Sequence, residues 1–295
     1  MISTLERMIP QPIKRRLKGP YVEVRSRVRI RRLLARLRSQ YGPDLLLTIH
    51  PDDEMFHFIR DEWKWPFHVE KMEGPADAFH TYLVSGDGMV ANLRAALAQE
   101  GRELSDATAF LEFASGYGRF TRFLVTQVPA DRVTVSDISA GAVEFACETY
   151  GVTGVVSAAR PEDLDIDGQF DVIFVASLFS HLNHAVWVPW LRRLAGLLSP
   201  GGLLLFSTHG DFARTEIFGP HAADRMVEHE CGFWYLLTNE TGGRLDEDYY
   251  GTSFVTVEWV TRQIEANRLG KLLRVHRTLL WGSQDLYVVE RSIVQ

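Results

Sequence analysis

From residue 109 onward, short apolar runs alternate with helical stretches, and this alternation restricts the possible folds more than any other feature of the chain. The runs are Ala109–Phe113, Val133–Asp137, Val155–Ala158, Phe170–Val175, Leu203–Ser207, Leu272–Arg277 and Leu286–Val289. Runs this short and this apolar are strands buried on both faces. Helices between them return the chain to the same edge, so the pattern predicts an α/β fold with a doubly wound, mostly parallel sheet of seven strands. Helix punctuation agrees with it. Ser139 is placed to cap a helix that Gly151 ends, and a second helix, 186–198, should stop at Ser199-Pro200-Gly201-Gly202, whose Pro and Gly suit a type II turn. Residues 208–254, rich in Gly and aromatic residues, interrupt the alternation after the fifth strand; an insert of that length usually closes over a site.

Charge divides the chain into parts with different tasks. Residues 1–40 hold twelve Lys and Arg against Glu6 and Glu23, a net of +10, which leaves −16 on residues 41–295. Within the basic part, Val24, Val28, Ile30, Leu33, Leu34 and Leu37 fall at helical spacing with arginines between them, the pattern of a basic amphipathic helix. Its apolar stripe is expected to pack on the main domain or on a second copy of the chain, giving a homo-oligomer. Peripheral contact of its basic face with an anionic membrane surface or another partner is the competing expectation. Residues 41–105 read as a helical lead-in broken by Pro43, Pro51, Pro66, Gly74 and Pro75 and ending in a longer helix, 89–99. Residues 106–295 are the sheet domain. Two cysteines, Cys147 and Cys231, make neither a disulfide framework nor a four-thiolate zinc site. With no run of about eighteen apolar residues and no apolar core in the first thirty, a cytoplasmic chain is expected.

The chemistry concentrates where the first strand ends. Phe110-Leu111-Glu112-Phe113 runs into Ala114-Ser115-Gly116-Tyr117-Gly118-Arg119 and then a helix, a turn whose glycines admit a ligand close to the backbone and whose N–H groups can meet it. Nineteen residues after Gly118, at the end of the second strand, Asp137 offers a carboxylate that can accept both hydroxyls of a ribose. Dinucleotide enzymes share this layout, but their third glycine would fall at Thr121, and Glu112 has no part in their motif. The spacing resembles instead the E/D-x-G-x-G-x-G of class I S-adenosylmethionine-dependent methyltransferases.

That resemblance covers residues 108–289 and rests on further segments: Val135-Ser136-Asp137, Pro161-Glu162-Asp163-Leu164, Phe170-Asp171-Val172-Ile173 and Leu198-Ser199-Pro200-Gly201-Gly202. It implies a Rossmann-like sheet whose last strand is antiparallel, S-adenosylmethionine as cofactor, and cofactor contacts from Glu112, Ala114, Gly116, Gly118, Asp137, Ile138, Glu162, Asp163, Ala176 and Ser177. Tyr82, in the lead-in, is the further contact it suggests. Two positions depart from the family. Ala114 stands for the first glycine, which requires a negative φ there, and Arg160 stands where many members carry an aspartate near the adenine.

The fourth strand ends in Ala176-Ser177-Leu178-Phe179-Ser180-His181, without the N/D-P-P-Y/F tetrapeptide of enzymes that methylate adenine in DNA. The −16 on residues 41–295 also opposes a nucleic-acid groove. His181 is the candidate general base for O-methylation, with His209 second. His50-Pro51-Asp52-Asp53-Glu54 resembles part of a zinc deacetylase motif, yet two ligands without a third make a poor metal site, and helix capping by Asp52 or Asp53 is the simpler account. The expected activity is therefore metal-independent methyl transfer to a small or medium acceptor, a glycan, lipid-linked or secondary-metabolite hydroxyl among them. The alternatives are an NAD(P)- or nucleotide-sugar-dependent oxidoreductase, and a cofactor-binding protein whose catalysis has lapsed.

Overall fold

The computed structural model describes residues 27–57, 59, 75–238 and 250–292. The first 26 residues of the basic extension and Tyr249 of the insert lie outside the described residues. Two compact units are formed. Among the described residues, the smaller comprises 27–45, 54–57, 59 and 75–84, and the larger comprises 46–53, 85–238 and 250–292. Segment 46–53 therefore groups with the sheet, as do residues 85–105 of the lead-in.

In the smaller unit, residues 27–41 form the basic helix, with Leu33 and Leu37 buried and the arginines facing outward. Arg29 lies 3.6 Å from Asp77. The helix expected over 89–99 is longer, Pro75–Gln99, and runs across the boundary between the units. Proline at its first position costs no hydrogen bond, because that N–H has no partner within a helix. Gly86 and Gly88 do not end it. A Cβ on Gly86 would stand 2.2 Å from the carbonyl oxygen of Arg119, so glycine is kept there for close approach.

The larger unit is built on one mixed sheet. Its parallel strands are β1 (Phe110–Phe113), β2 (Val133–Asp137), β3 (Thr153–Val156), β4 (Phe170–Val175) and β5 (Leu198–His209), in the spatial order β3-β2-β1-β4-β5. Strand order reverses beside β1, which opens a crevice at the carboxyl ends of β1 and β4. The final hairpin, β9 (Lys271–Leu280) and β10 (Gln284–Glu290), adds β10 antiparallel to β5, as expected of the last strand. Ser139 caps helix Ala140–Tyr150, its hydroxyl accepting from the N–H of Ala142. Gly151 ends that helix at φ 69°.

Three expectations change. The third strand lies at 153–156, two residues early. Helix His184–Gly196 stops before Leu198, and Ser199-Pro200-Gly201-Gly202 is no free turn but part of β5. Between Phe170↔Leu198 and Val172↔Leu203 the register slips, so these residues bulge out of the pairing, and Gly201 takes φ 74°. The insert, finally, is not strandless. It supplies β6 (Val227–Glu230), β7 (Phe233–Leu236) and β8 (Thr252–Val255), which bring the sheet to ten strands and continue it past β5 through the pair His209↔Phe254. Phe233, Tyr235 and Phe254 are consequently buried. Phe233 and Tyr235 join Trp187, Phe206 and Trp259 in the core, so much of the aromatic content of the insert is structural.

The Gly86 contact reverses the usual sign of a helix substitution. Propensity alone makes Gly86→Ala stabilising by about 1 kcal/mol. Overlap with a backbone oxygen makes it destabilising by about 2 kcal/mol, which urea unfolding of the variant will show as a lower midpoint.

Candidate functional site

The turn after β1 is held in its shape by Asp137. One carboxylate oxygen accepts the N–H of Gly116 at 2.7 Å, and the other accepts the N–H of Ser139 at 2.9 Å. The same side chain thus ties the glycine turn to the start of the helix after β2. Gly116 has φ 54° with nothing within 4 Å of where a Cβ would stand, so its outer side is open. Gly118 has φ 76°, and a Cβ there would lie 2.5 Å from the ring of Tyr150. Ala114 corrects an expectation: its φ is +61°, not negative. The backbone follows the glycine pattern of the turn although the residue is alanine, at a strain of about 1 kcal/mol.

Beneath the turn, Glu112 is buried in β1 and accepts the hydroxyl of Thr121 at 2.6 Å. Burial raises its carboxyl to about 8; the Thr121 hydrogen bond opposes that rise, Asp137 adds to it, and Arg119 and Arg122 oppose it. At neutral pH it is held as the neutral acid. Arg122, fully buried, donates through Nε to the carbonyl of Gly118 at 2.9 Å and through a terminal nitrogen to the carbonyl of Thr48 at 2.9 Å. Segment 46–53 is thereby fastened to the turn. His50 lies flat on Tyr117, ring centres 4.7 Å apart, so this histidine of the deacetylase-like motif serves packing. Among the described residues no group of three or more His, Cys, Asp or Glu is arranged to hold a metal ion.

An open glycine turn, an acid at the next strand end and a topological crevice stand together at the carboxyl ends of β1, β2 and β4. A family model described as a methyltransferase domain matches residues 111–204, which span β1 through most of β5. Residues 111–204 of the chain thus carry a methyltransferase domain. Malonyl-[acyl-carrier protein] O-methyltransferase of Acetivibrio thermocellus is 26% identical over 120 residues, 40% of this chain and 42% of that one. An uncharacterized protein of Synechococcus is 29% identical over 126 residues, 41% of this chain and 30% of that one. The chain thus matches less than half the length of these curated relatives. Among solved structures, magnesium protoporphyrin IX methyltransferase from Synechocystis superposes with a TM-score of 0.48 at 15% identity, covering 72% of this chain and 86% of that one. An S-adenosylmethionine-dependent methyltransferase from Clostridium acetobutylicum gives 0.47 at 11%, covering 72% and 92%.

Across the crevice from the turn, the methyltransferase domain places Ala176 and Ser177, both half-buried, just past the end of β4. Ser177 has φ 65°, a second non-glycine residue in the left-handed region at a strand end. Its N–H donates to the hydroxyl of Ser207 at 2.8 Å, which in turn donates to the side-chain oxygen of Gln284 at 2.7 Å. The amide nitrogen of Gln284 lies 3.1 Å from the hydroxyl of Ser177 and 3.4 Å from Nε2 of His209. Gln284, buried on β10, is a site residue that sequence reasoning missed. No local motif surrounds it, and only the antiparallel pairing Gln284↔His209 brings it in.

His181 and His209 come together, ring centres 6.2 Å apart. Nδ1 of His181 is 2.9 Å from the carbonyl of Gly251, so that nitrogen carries the proton and Nε2 is the basic atom of the ring. Tyr250 stacks on the same ring at 4.8 Å and 9°, and the N–H of Gly251 donates to the carbonyl of His181 at 2.8 Å. The remaining expected contacts are spread more widely. Ile138 is exposed directly after Asp137. Glu162 and Asp163 lie in a short turn after β3, and Arg160 bonds Asp163 at 2.8 Å and approaches Glu162 at 3.7 Å. Tyr82 belongs to the smaller unit, fully buried, with Phe56 against it edge-on at 5.8 Å.

Two measurements follow from the turn. Ala114→Gly should raise stability by about 1 kcal/mol in urea unfolding, because glycine takes a positive φ without the alanine penalty. Glu112 makes stability depend on pH. Its folded pKa, about 8, lies above the ordinary value of 4.5, so between these limits the folded state binds the extra proton and stability falls as pH rises. Glu112→Gln should flatten that fall, worth a few kcal/mol, between pH 5 and pH 8.

Proposed function

We propose that the protein transfers the methyl group of S-adenosylmethionine to an oxygen of a small or medium acceptor, without a metal. The observation that carries this reading is the Asp137–Gly116 lock at the mouth of the crevice. Each oxygen of that carboxylate accepts one backbone N–H, which sets a charged acceptor at the mouth of the crevice, the chemistry that suits ribose hydroxyls. The open side of Gly116, and the buried hydroxyl of Ser115 with no hydrogen-bond partner among the described residues, fit a polar ligand lying against the turn.

When bound, the cofactor supplies an activated methyl on a sulfonium centre. What remains for this chain is to hold the acceptor in line and to take a proton. Proximity and orientation account for most of the rate in such a transfer. His181 is built for the proton: the Gly251 carbonyl fixes its tautomer, the Tyr250 ring fixes its plane, and Nε2 accepts. His209 is second, since its Nε2 lies beside the Gln284 amide. The O-methyltransferase among the relatives supports oxygen as the receiving atom.

Titration with S-adenosylhomocysteine tests the site. Asp137→Ala should weaken binding by about 2 kcal/mol, roughly thirtyfold, as hydrogen bonds to a charged acceptor are lost. Gly116→Val should weaken it further, because a branched side chain fills the open side of the turn and opposes its φ of 54°. Unchanged affinity in both, with the fold intact by circular dichroism, would place the pocket elsewhere.

A further inference from the structure

Among the charged side chains of the insert, Arg214 stands on an aromatic ring. Arg214 lies on a π-helical turn, Ala213–Phe218, that follows β5 directly. Such turns are rare and often stand at functional sites. Its guanidinium sits flat above the ring of Trp234, 4.1 Å from the ring centre. Of its five N–H donors, only a terminal one has an acceptor among the described residues, Asp211, at a long 3.4 Å. Nε is buried and has no acceptor among the described residues. Asp211 is itself shared, since a terminal nitrogen of Arg277 approaches it at 3.8 Å, while Asp285 is engaged by Arg277 and by the N–H of Thr278. The side chain of Arg214 remains 28% exposed, so the guanidinium is reachable.

Its place in the sheet is defined by register. Trp234 pairs with Phe254, and Phe254 pairs with His209, so the three stand in one row across β7, β8 and β5. Residues paired in this way project on one face, and two strand spacings separate Trp234 from His209 by about 10 Å. Phe254 and Phe218 both pack on the ring of His209, at 5.5 and 5.3 Å, and on each other at 5.0 Å. The ring that carries the planar cation thus belongs to a residue two strands across from His209.

We infer that Arg214 and Trp234 bind an anionic oxygen group of the acceptor, a carboxylate or a phosphate, and so select an acidic substrate for methylation. The inference rests on the methyltransferase reading and adds the chemical class of its acceptor. Arginine suits the task because its planar fork meets two oxygens of such a group at once. The Trp234 face holds the fork in orientation without occupying its donors, as an acidic side chain in that place would.

Titration of the full chain with phenylacetate, phenyl phosphate and the neutral phenylacetamide, with and without saturating S-adenosylhomocysteine, tests it. The wild type should bind at least one acid ten times more tightly than the amide, and the larger ratio tells carboxylate from phosphate. In Arg214→Gln the ratio should fall below three, with affinity for S-adenosylhomocysteine unchanged. Arg214→Lys, which keeps the charge and loses the fork, should fall between, and it decides the matter if Arg214→Gln does not fold. Equal binding of acids and amide by the wild type, no binding of any of the three, or a ratio that survives Arg214→Gln would overturn the inference. Failure of S-adenosylhomocysteine alone to bind would instead remove the methyltransferase reading, while the acid-to-amide ratio is still measured without it.

Discussion

The carboxylate of Asp137 holds together two chain segments that would otherwise separate. It accepts from Gly116 in the turn after β1 and from Ser139 at the start of the helix after β2. Because both bonds are to backbone N–H groups, the geometry is set by main chain rather than by flexible side chains. A charged acceptor makes such bonds about twice as strong as neutral ones. Arg122 reinforces the same turn from below, where its buried guanidinium ties the Gly118 carbonyl to Thr48 of segment 46–53.

Strain accompanies this arrangement. Ala114 after β1 and Ser177 after β4 both take positive φ, although neither is glycine. They mark the carboxyl ends of adjacent strands, where the sheet opens. At Ser177 the cost is met by a hydrogen-bonded chain through Ser207 and Gln284 that joins β4, β5 and β10. At Ala114 the turn as a whole, held by Asp137 at Gly116, imposes the conformation. Buried and uncharged at neutral pH, Glu112 adds no negative charge beneath a turn that already faces Asp137.

Much of this was legible in residue order where the determinants are local. The glycine turn, the acid at the end of β2, the Ser139 cap and the Gly151 stop depend on neighbours within a few positions, and each lies where the spacing put it. What escaped depends on distant partners. Ser199-Pro200-Gly201-Gly202 has the composition of a turn, yet its pairing with β4 makes it a bulge within a strand. The strands of the insert are four residues each and β7 is apolar throughout, too little for a period of two to show, and β7 and β8 are stabilised by burial against the core. Gln284 joins the site through a register set by a hairpin more than seventy residues from its serine and histidine partners.

The account stands or falls on what the crevice binds. Equilibrium titration of the wild-type chain with S-adenosylmethionine, S-adenosylhomocysteine, NAD and NADP is the most direct measurement, since all four offer a ribose to Asp137 and only two suit a turn with Thr121 in place of a third glycine. The first two should bind in the micromolar range and the nicotinamide cofactors should not bind. Micromolar binding of NAD or NADP, with none of S-adenosylmethionine or S-adenosylhomocysteine, would contradict it.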